Sequence, residues 1–187
     1  MSYVRGFAPW ICYAALSAFD WRLGMCAAAF AALILVAGQL RNRSVDLLGR
    51  TTCAYFVAMA AVALADPASG LHHWTTALAS GTLAVVALAS LAARRPFTLS
   101  IARTMVPEAY WRSRRFLHVN MVITGAWAAA FTSAAIVCAL IVGYGHANIV
   151  ALVTVQVLAF VIPFAFSGRY TARAQASVRE PVADAAV

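Results

Sequence analysis

The chain has 187 residues, of which 64% are hydrophobic and 11% charged, and its mean hydropathy is +0.82. That balance excludes a soluble globular domain and describes a multi-pass membrane protein of the all-α class, a polytopic helical bundle. The net charge of +8 is carried by Arg alone, with no Lys, and no recognition helix or stacking-aromatic motif accompanies it, so nucleic acid is excluded as a partner.

Six apolar stretches follow one another: Val4 to Phe19, Leu23 to Leu40, Leu47 to Ala65, Trp74 to Ala93, Val119 to Gly143 and Ala147 to Ser167. A hydrocarbon core of ~30 Å needs ~20 residues at 1.5 Å each. The last three stretches meet that length outright. The third meets it with Arg50 near one end, where its side chain can snorkel to the head groups. The first is the shortest and holds Pro9 near its start, so whether it fully spans is open. It also resembles a signal peptide, but Leu16 stands where cleavage after Ala18 would require a small residue, so an uncleaved first span is expected.

Charge in the connectors sets the threading. Arg41, Arg43 and Asp46 follow the second stretch, while Arg169, Arg173 and Arg179 follow the sixth. Between the fourth and fifth stretches, Arg94, Arg95, Arg103, Arg112, Arg114 and Arg115 stand against a single acid, Glu108. The segments Asp66 to Trp74 and Gly143 to Asn148 have no Arg. Cytoplasmic loops collect basic residues, so six spans with both termini cytoplasmic are expected. Trp21, Trp74 and Tyr144 then mark one interface and Trp111 the other.

The long basic connector has an amphipathic part. Phe97, Ile101 and Met105 recur every four residues, and a helix beginning at Pro96 would put them on one stripe along the membrane surface. The six arginines are candidate contacts for lipids, anionic head groups in particular, or for a protein partner. The domain reading is a transmembrane helical domain over residues 1–168 and a polar cytoplasmic tail over residues 169–187, disordered or only briefly helical.

Polar residues inside the spans are the other candidates. Thr132 and Ser133 lie near the middle of the fifth stretch, and Thr154 and Gln156 near the middle of the sixth, so the four are expected to meet. Interhelical hydrogen bonding is one reading, and a solute path is the other. No acid, Lys or Arg sits at that depth to couple an ion. His72, His73, Asp66 and His146 fall on one side, but adjacent His rarely share one ion, so no metal is expected. His118 has no deep His partner for haem. Cys12, Cys26, Cys53 and Cys138 lie singly in apolar runs, without metal or disulfide spacing. No nucleophile elbow, zinc-protease, P-loop or paired-acid motif occurs, so no enzyme activity and no cofactor are expected.

Several short features taken together resemble the intracellular septation protein A family of bacterial inner-membrane proteins. They are Phe19-Asp20-Trp21 closing the first stretch, the polar turn from Asp66 to Trp74, and Arg94-Arg95-Pro96 closing the fourth. Trp111, Asn120 and Trp127 continue the pattern. The resemblance covers the chain to about Ser167. It implies a helical membrane protein that serves cell division and envelope synthesis through contacts with other membrane proteins, without catalysis. The expected function is therefore a non-enzymatic membrane scaffold, with homo-oligomerisation open. A small transporter or channel built on the polar centre of the last two spans is the alternative.

Overall fold

A computed structural model gives the backbone of residues 2–17, 19–41, 47–145 and 148–184, with side chains described over 8–13, 15–17, 19–41, 47–145 and 148–175. The chain is all-α. Its helices are α1 (Ser2–Leu16), α2 (Trp21–Arg41), α3 (Leu47–Ala65), α4 (Leu71–Ala92), α5 (Thr98–Arg103), α6 (Arg114–Gly143) and α7 (Ile149–Asp184), with one 3-10 turn at Glu108–Tyr110. Five of them, α2, α3, α4, α6 and α7, are long and apolar enough to cross a membrane. The protein is therefore a multi-pass membrane protein. The first stretch differs from expectation, because α1 has 15 residues and so extends only about 22 Å, short of a ~30 Å core.

Neighbours in sequence are neighbours in space. α1 lies against α2, α2 against α3, and α6 packs most extensively on α4 and then on α7. The core is built largely of small side chains: Ala28, Ala29, Ala32, Ala60 and Ala63 in the first half, and Ala84, Ala87, Ala128 and Ala134 in the second. In lipid there is little hydrophobic drive between helices, so close backbone approach and dispersion hold the bundle, and small residues permit both. The closest approach is at the α1–α2 turn, where a Cβ on Gly24 would lie 2.9 Å from the backbone of Ser17. Asp20 starts α2 by accepting from the backbone N–H of Arg22 and Leu23 at 2.6 and 3.3 Å, an N-cap.

The end of α4 is a Schellman turn. Arg95 N–H reaches back to Ser90 O and Arg94 N–H to Leu91 O, both at 2.9 Å. Arg94 occupies the left-handed position at φ 53, where glycine is the usual occupant and another L-residue costs about 1–2 kcal/mol. Ser90 Oγ then accepts from Phe97 N–H across the buried Pro96, which stops the helix and turns the chain.

Two expectations about the arginine-rich end of the bundle change. The amphipathic segment forms a helix of only six residues, α5, with Phe97 preceding it and Met105 beyond it. Phe97 and Ile101 are half-buried while Met105 is 65% exposed, so the three do not make one continuous stripe. Thr98 is the reason: its Oγ1 donates to Asn120 O and pairs with Thr124 Oγ1 at 2.9 Å, docking α5 against α6. At the other end α7 passes the expected boundary at residues 168/169 and stays helical to Asp184. The tail is rich in Ala and Arg, both good helix formers, and an established helix propagates into such a sequence at little cost.

The two kinds of glycine can be told apart by substitution. Gly24→Ala should destabilise the detergent-solubilised protein by about 1–3 kcal/mol, because the atoms it meets are backbone and cannot swing away. Gly38→Ala, where a Cβ meets nothing within 4 Å, should leave the thermal midpoint unchanged or raised.

Candidate functional site

Among the described residues, side-chain hydrogen bonds join different spanning helices, and α1 with them, at three separate places. Thr75 in α4 is the first: Tyr13 of α1 donates to its Oγ1 at 2.8 Å, Tyr55 of α3 donates to its carbonyl at 2.9 Å, and its own hydroxyl donates to His72 O. Around this knot Trp10 stacks on Tyr55 at 5.8 Å and meets Phe56 edge-on at 4.8 Å. Aromatic pairs of this kind stabilise beyond their buried area, and each phenolic hydroxyl has a partner inside the bundle. Sequence reasoning missed Tyr13, Tyr55 and Thr75. The tyrosines sit inside apolar runs rather than at their ends, a signal that was readable.

The second place is the pair formed by Ser80 in α4 and Gln156 in α7, with Ser80 Oγ donating to Gln156 Oε1 at 2.9 Å. This corrects the expected cluster. Gln156 reaches α4, not Thr132 and Ser133 on α6. Thr154 Oγ1 donates to Val150 O of its own helix at 2.7 Å, Ser133 is exposed on the outer face and Thr132 is half-buried. The expectation assumed that spans adjacent in sequence would turn their polar faces to each other. In the bundle α7 also touches α4, and Ser80, fully buried, is the hydroxyl within reach.

The third is at the far end of the bundle. Trp127 Nε1 donates to Ser167 Oγ at 3.2 Å, and Ser167 donates in turn to Pro163 O at 2.6 Å, tying α6 to α7. Arg115 extends the tie, donating to Ala174 O at 2.9 Å. Trp111 Nε1 donates to Val106 O and holds the loop, while the Arg103 guanidinium lies 5.4 Å from the Trp111 ring centre. Asn120 Nδ2 donates to Phe116 O at 2.8 Å.

The six positions that carry the family resemblance therefore do separate structural work. Asp20 caps α2, Pro96 stops α4 and Asn120 receives α5. Trp127 ties α6 to α7, Trp111 clasps the loop, and Trp74 is 39% exposed at the opposite end of the bundle. They do not converge on one centre. The six candidate arginines, Arg94, Arg95, Arg103, Arg112, Arg114 and Arg115, are all exposed.

On the opposite side His72 Nδ1 lies 2.9 Å from Ser69 O, and the His72 and His73 rings lie 3.6 Å apart. Asp66 Oδ1 is taken up by Ala68 N–H at 3.2 Å. Among the described residues no group of three or more His, Cys, Asp or Glu side chains converges, and His146 lies outside them. Gln39, also missed from sequence, has a buried Oε1 without a partner among the described residues, beside a cavity of about 30 Å³ lined in part by Pro9 and Thr52. That space is the size of a single water molecule.

The chain matches no known family model, no curated protein and no solved structure. Its fold and composition define the class, an all-α multi-pass membrane protein with at least five helices able to span.

The Ser80–Gln156 pair can be measured directly. Ser80→Ala and Gln156→Leu in a double-mutant cycle, read by unfolding in mixed micelles, should give a coupling of about 0.6 kcal/mol and no more than about 1.7. Additive single effects would mean that the two side chains do not meet in the bilayer.

Proposed function

We propose that the protein is a non-enzymatic scaffold of the bacterial inner membrane, acting through contacts with other membrane proteins of cell division and envelope synthesis. The process rests on the resemblance to the septation protein A family. The mode of action rests on one observation: Gln156, the amide nearest the centre of the spans, is committed to Ser80 in a contact between two helices. A group that holds the bundle together is spent on structure, whereas a solute path needs polar groups turned to an aqueous route. The exposed apolar faces of α2 and α7 are then available to lipid or to other membrane helices, with Phe30, Leu33 and Ile34 on one and Val157, Val161 and Phe164 on the other.

In this reading the chain crosses six times with both termini cytoplasmic. α1 packs against α2, so a helix shorter than the core is inserted beside a full-length neighbour, and the mismatch is met by local thinning. The Arg-rich ends of α2, α4 and α7 face the cytoplasm, and the turn carrying Asp66 and His72 faces outward.

Depletion followed by imaging of cell shape tests the function, with filamentation or altered width as the expected result. Gln156→Leu should complement the depletion. A variant that is abundant and folded yet fails to complement would overturn the scaffold reading in favour of transport. Threading is tested with single-Cys variants in a Cys-free background: an impermeant thiol reagent applied outside should label a cysteine at Ser69 but not one at Ser100. The reverse pattern would invert the bundle.

A further inference from the structure

Arg94 sits in the left-handed position of a Schellman turn, φ 53, where glycine fits without steric cost and a side chain does not. A backbone outlier kept at the end of a helix asks what the side chain supplies that glycine cannot. Arg94 supplies a positive charge, and its surroundings say what that charge would meet. We infer that Arg94 belongs to a ring of arginines that binds the phosphate groups of anionic phospholipids at one face of the bilayer. Only the naming of that face as cytoplasmic rests on the threading proposed above.

Depth is the first argument. α4 has 22 residues, about 33 Å at 1.5 Å each, so it uses up the hydrocarbon core and leaves Arg94 and Arg95 at the head-group boundary. Twenty residues counted from Ile149 at the start of α7 end at Gly168, and Arg169 follows. Arginines carried by different helices thus come to one level.

Distribution is the second. Arg41 is the last residue of α2 and Arg50 lies in the first turn of α3; Arg94 follows the last turn of α4, Arg114 opens α6, and Arg169 lies within α7, twenty residues past its start. All five are exposed. Charge carried by five different helices matches what lipids present around a bundle. An acidic protein docking on one face would engage only part of it. Glu108 is the sole acid from Arg94 to Asn120, so the connector has little internal neutralisation.

The connector's apolar groups are the third. Trp111 lies beneath the Arg103 guanidinium, and Met105 and Tyr110, 65% and 56% exposed, stand in the same loop. Aromatic and long apolar side chains beside arginine suit the head-group zone, where the apolar part meets acyl chains and the guanidinium meets phosphate. Each basic residue held near an anionic surface strengthens association by about fivefold at low ionic strength.

The test is lipid selectivity of the full chain in phosphatidylcholine nanodiscs, read from the motionally restricted fraction of spin-labelled phosphatidylglycerol against spin-labelled phosphatidylcholine. Phosphatidylglycerol should be preferred several-fold at low salt, and the preference should shrink as salt screens it. Arg94→Gly should weaken the preference by up to about fivefold while leaving the thermal midpoint in zwitterionic detergent unchanged or raised, because the turn favours glycine. Arg94→Asn, which also tolerates the left-handed region, should repeat the loss, and Arg94→Lys should keep the preference. Equal affinity for the two lipids in the unsubstituted protein would overturn the proposal and leave the charge to an acidic protein or to orientation alone. A preference untouched by Arg94→Gly would overturn the role of Arg94. Both leaflets of a nanodisc carry the same lipids, so a failed threading experiment would move the ring to the other leaflet without touching this result.

Discussion

A bilayer leaves no water for a polar group at the centre of a span, and that constraint governs how this bundle is assembled. Tyr55, at the middle of α3, shows its effect: its hydroxyl is paired at Thr75, in the second turn of α4. Tyr13 from α1 also reaches Thr75, whose own hydroxyl turns back to His72 O. α3 makes only modest backbone contact with α4, so the two halves of the bundle are joined at this level by side-chain hydrogen bonds and the aromatic cluster around Phe56 rather than by close helix packing. Ser80–Gln156 and Trp127–Ser167 repeat the device between α4 and α7 and between α6 and α7. Each junction satisfies polar groups and at the same time fixes which helices are neighbours.

The rest of the packing follows from what those junctions leave open. Alanine dominates the interior because adjacent helices must come close where no large apolar side chain separates them, and Gly24 marks the point at which even alanine is too large. Large apolar side chains such as Phe30, Val85 and Phe164 are turned outward, the reverse of a soluble core. In lipid that inversion carries no penalty, since the surroundings are as apolar as the side chain.

Much of this was legible in the sequence. Membrane class, all-α architecture and the positions of the five long helices came from hydropathy and charge alone, because span length is set by bilayer thickness and not by tertiary context. Helix partners were not legible in the same way. The pairing of Gln156 with Ser80 depends on which face of α7 turns to α4, and a hydropathy profile carries no information about rotation around a helix axis. The length of α5 was missed for a related reason. A four-residue apolar period predicted a surface stripe, but Thr98 found Asn120 and Thr124 on α6, and a docked side chain decided where the short helix lies. The continuation of α7 was missed because polarity was read as lack of structure, when its alanines and arginines favour helix.

The cytoplasmic end, in the proposed threading, shows how structural and functional demands share the same residues. Ser90, Arg94, Arg95 and Pro96 together end α4, and in three of them the residue present supplies what the turn uses. Serine bonds the turn, proline stops the helix, and Arg95 contributes its N–H. The left-handed position alone calls for a residue type the sequence does not supply there. A chain under no constraint but turn geometry would carry glycine at that position. The arginine is therefore best explained by its side chain, and it stands at the end of a helix of 22 residues, long enough to reach the head-group boundary. Orientation during insertion requires only an excess of basic residues within reach of the span ends; it places no demand on a strained position.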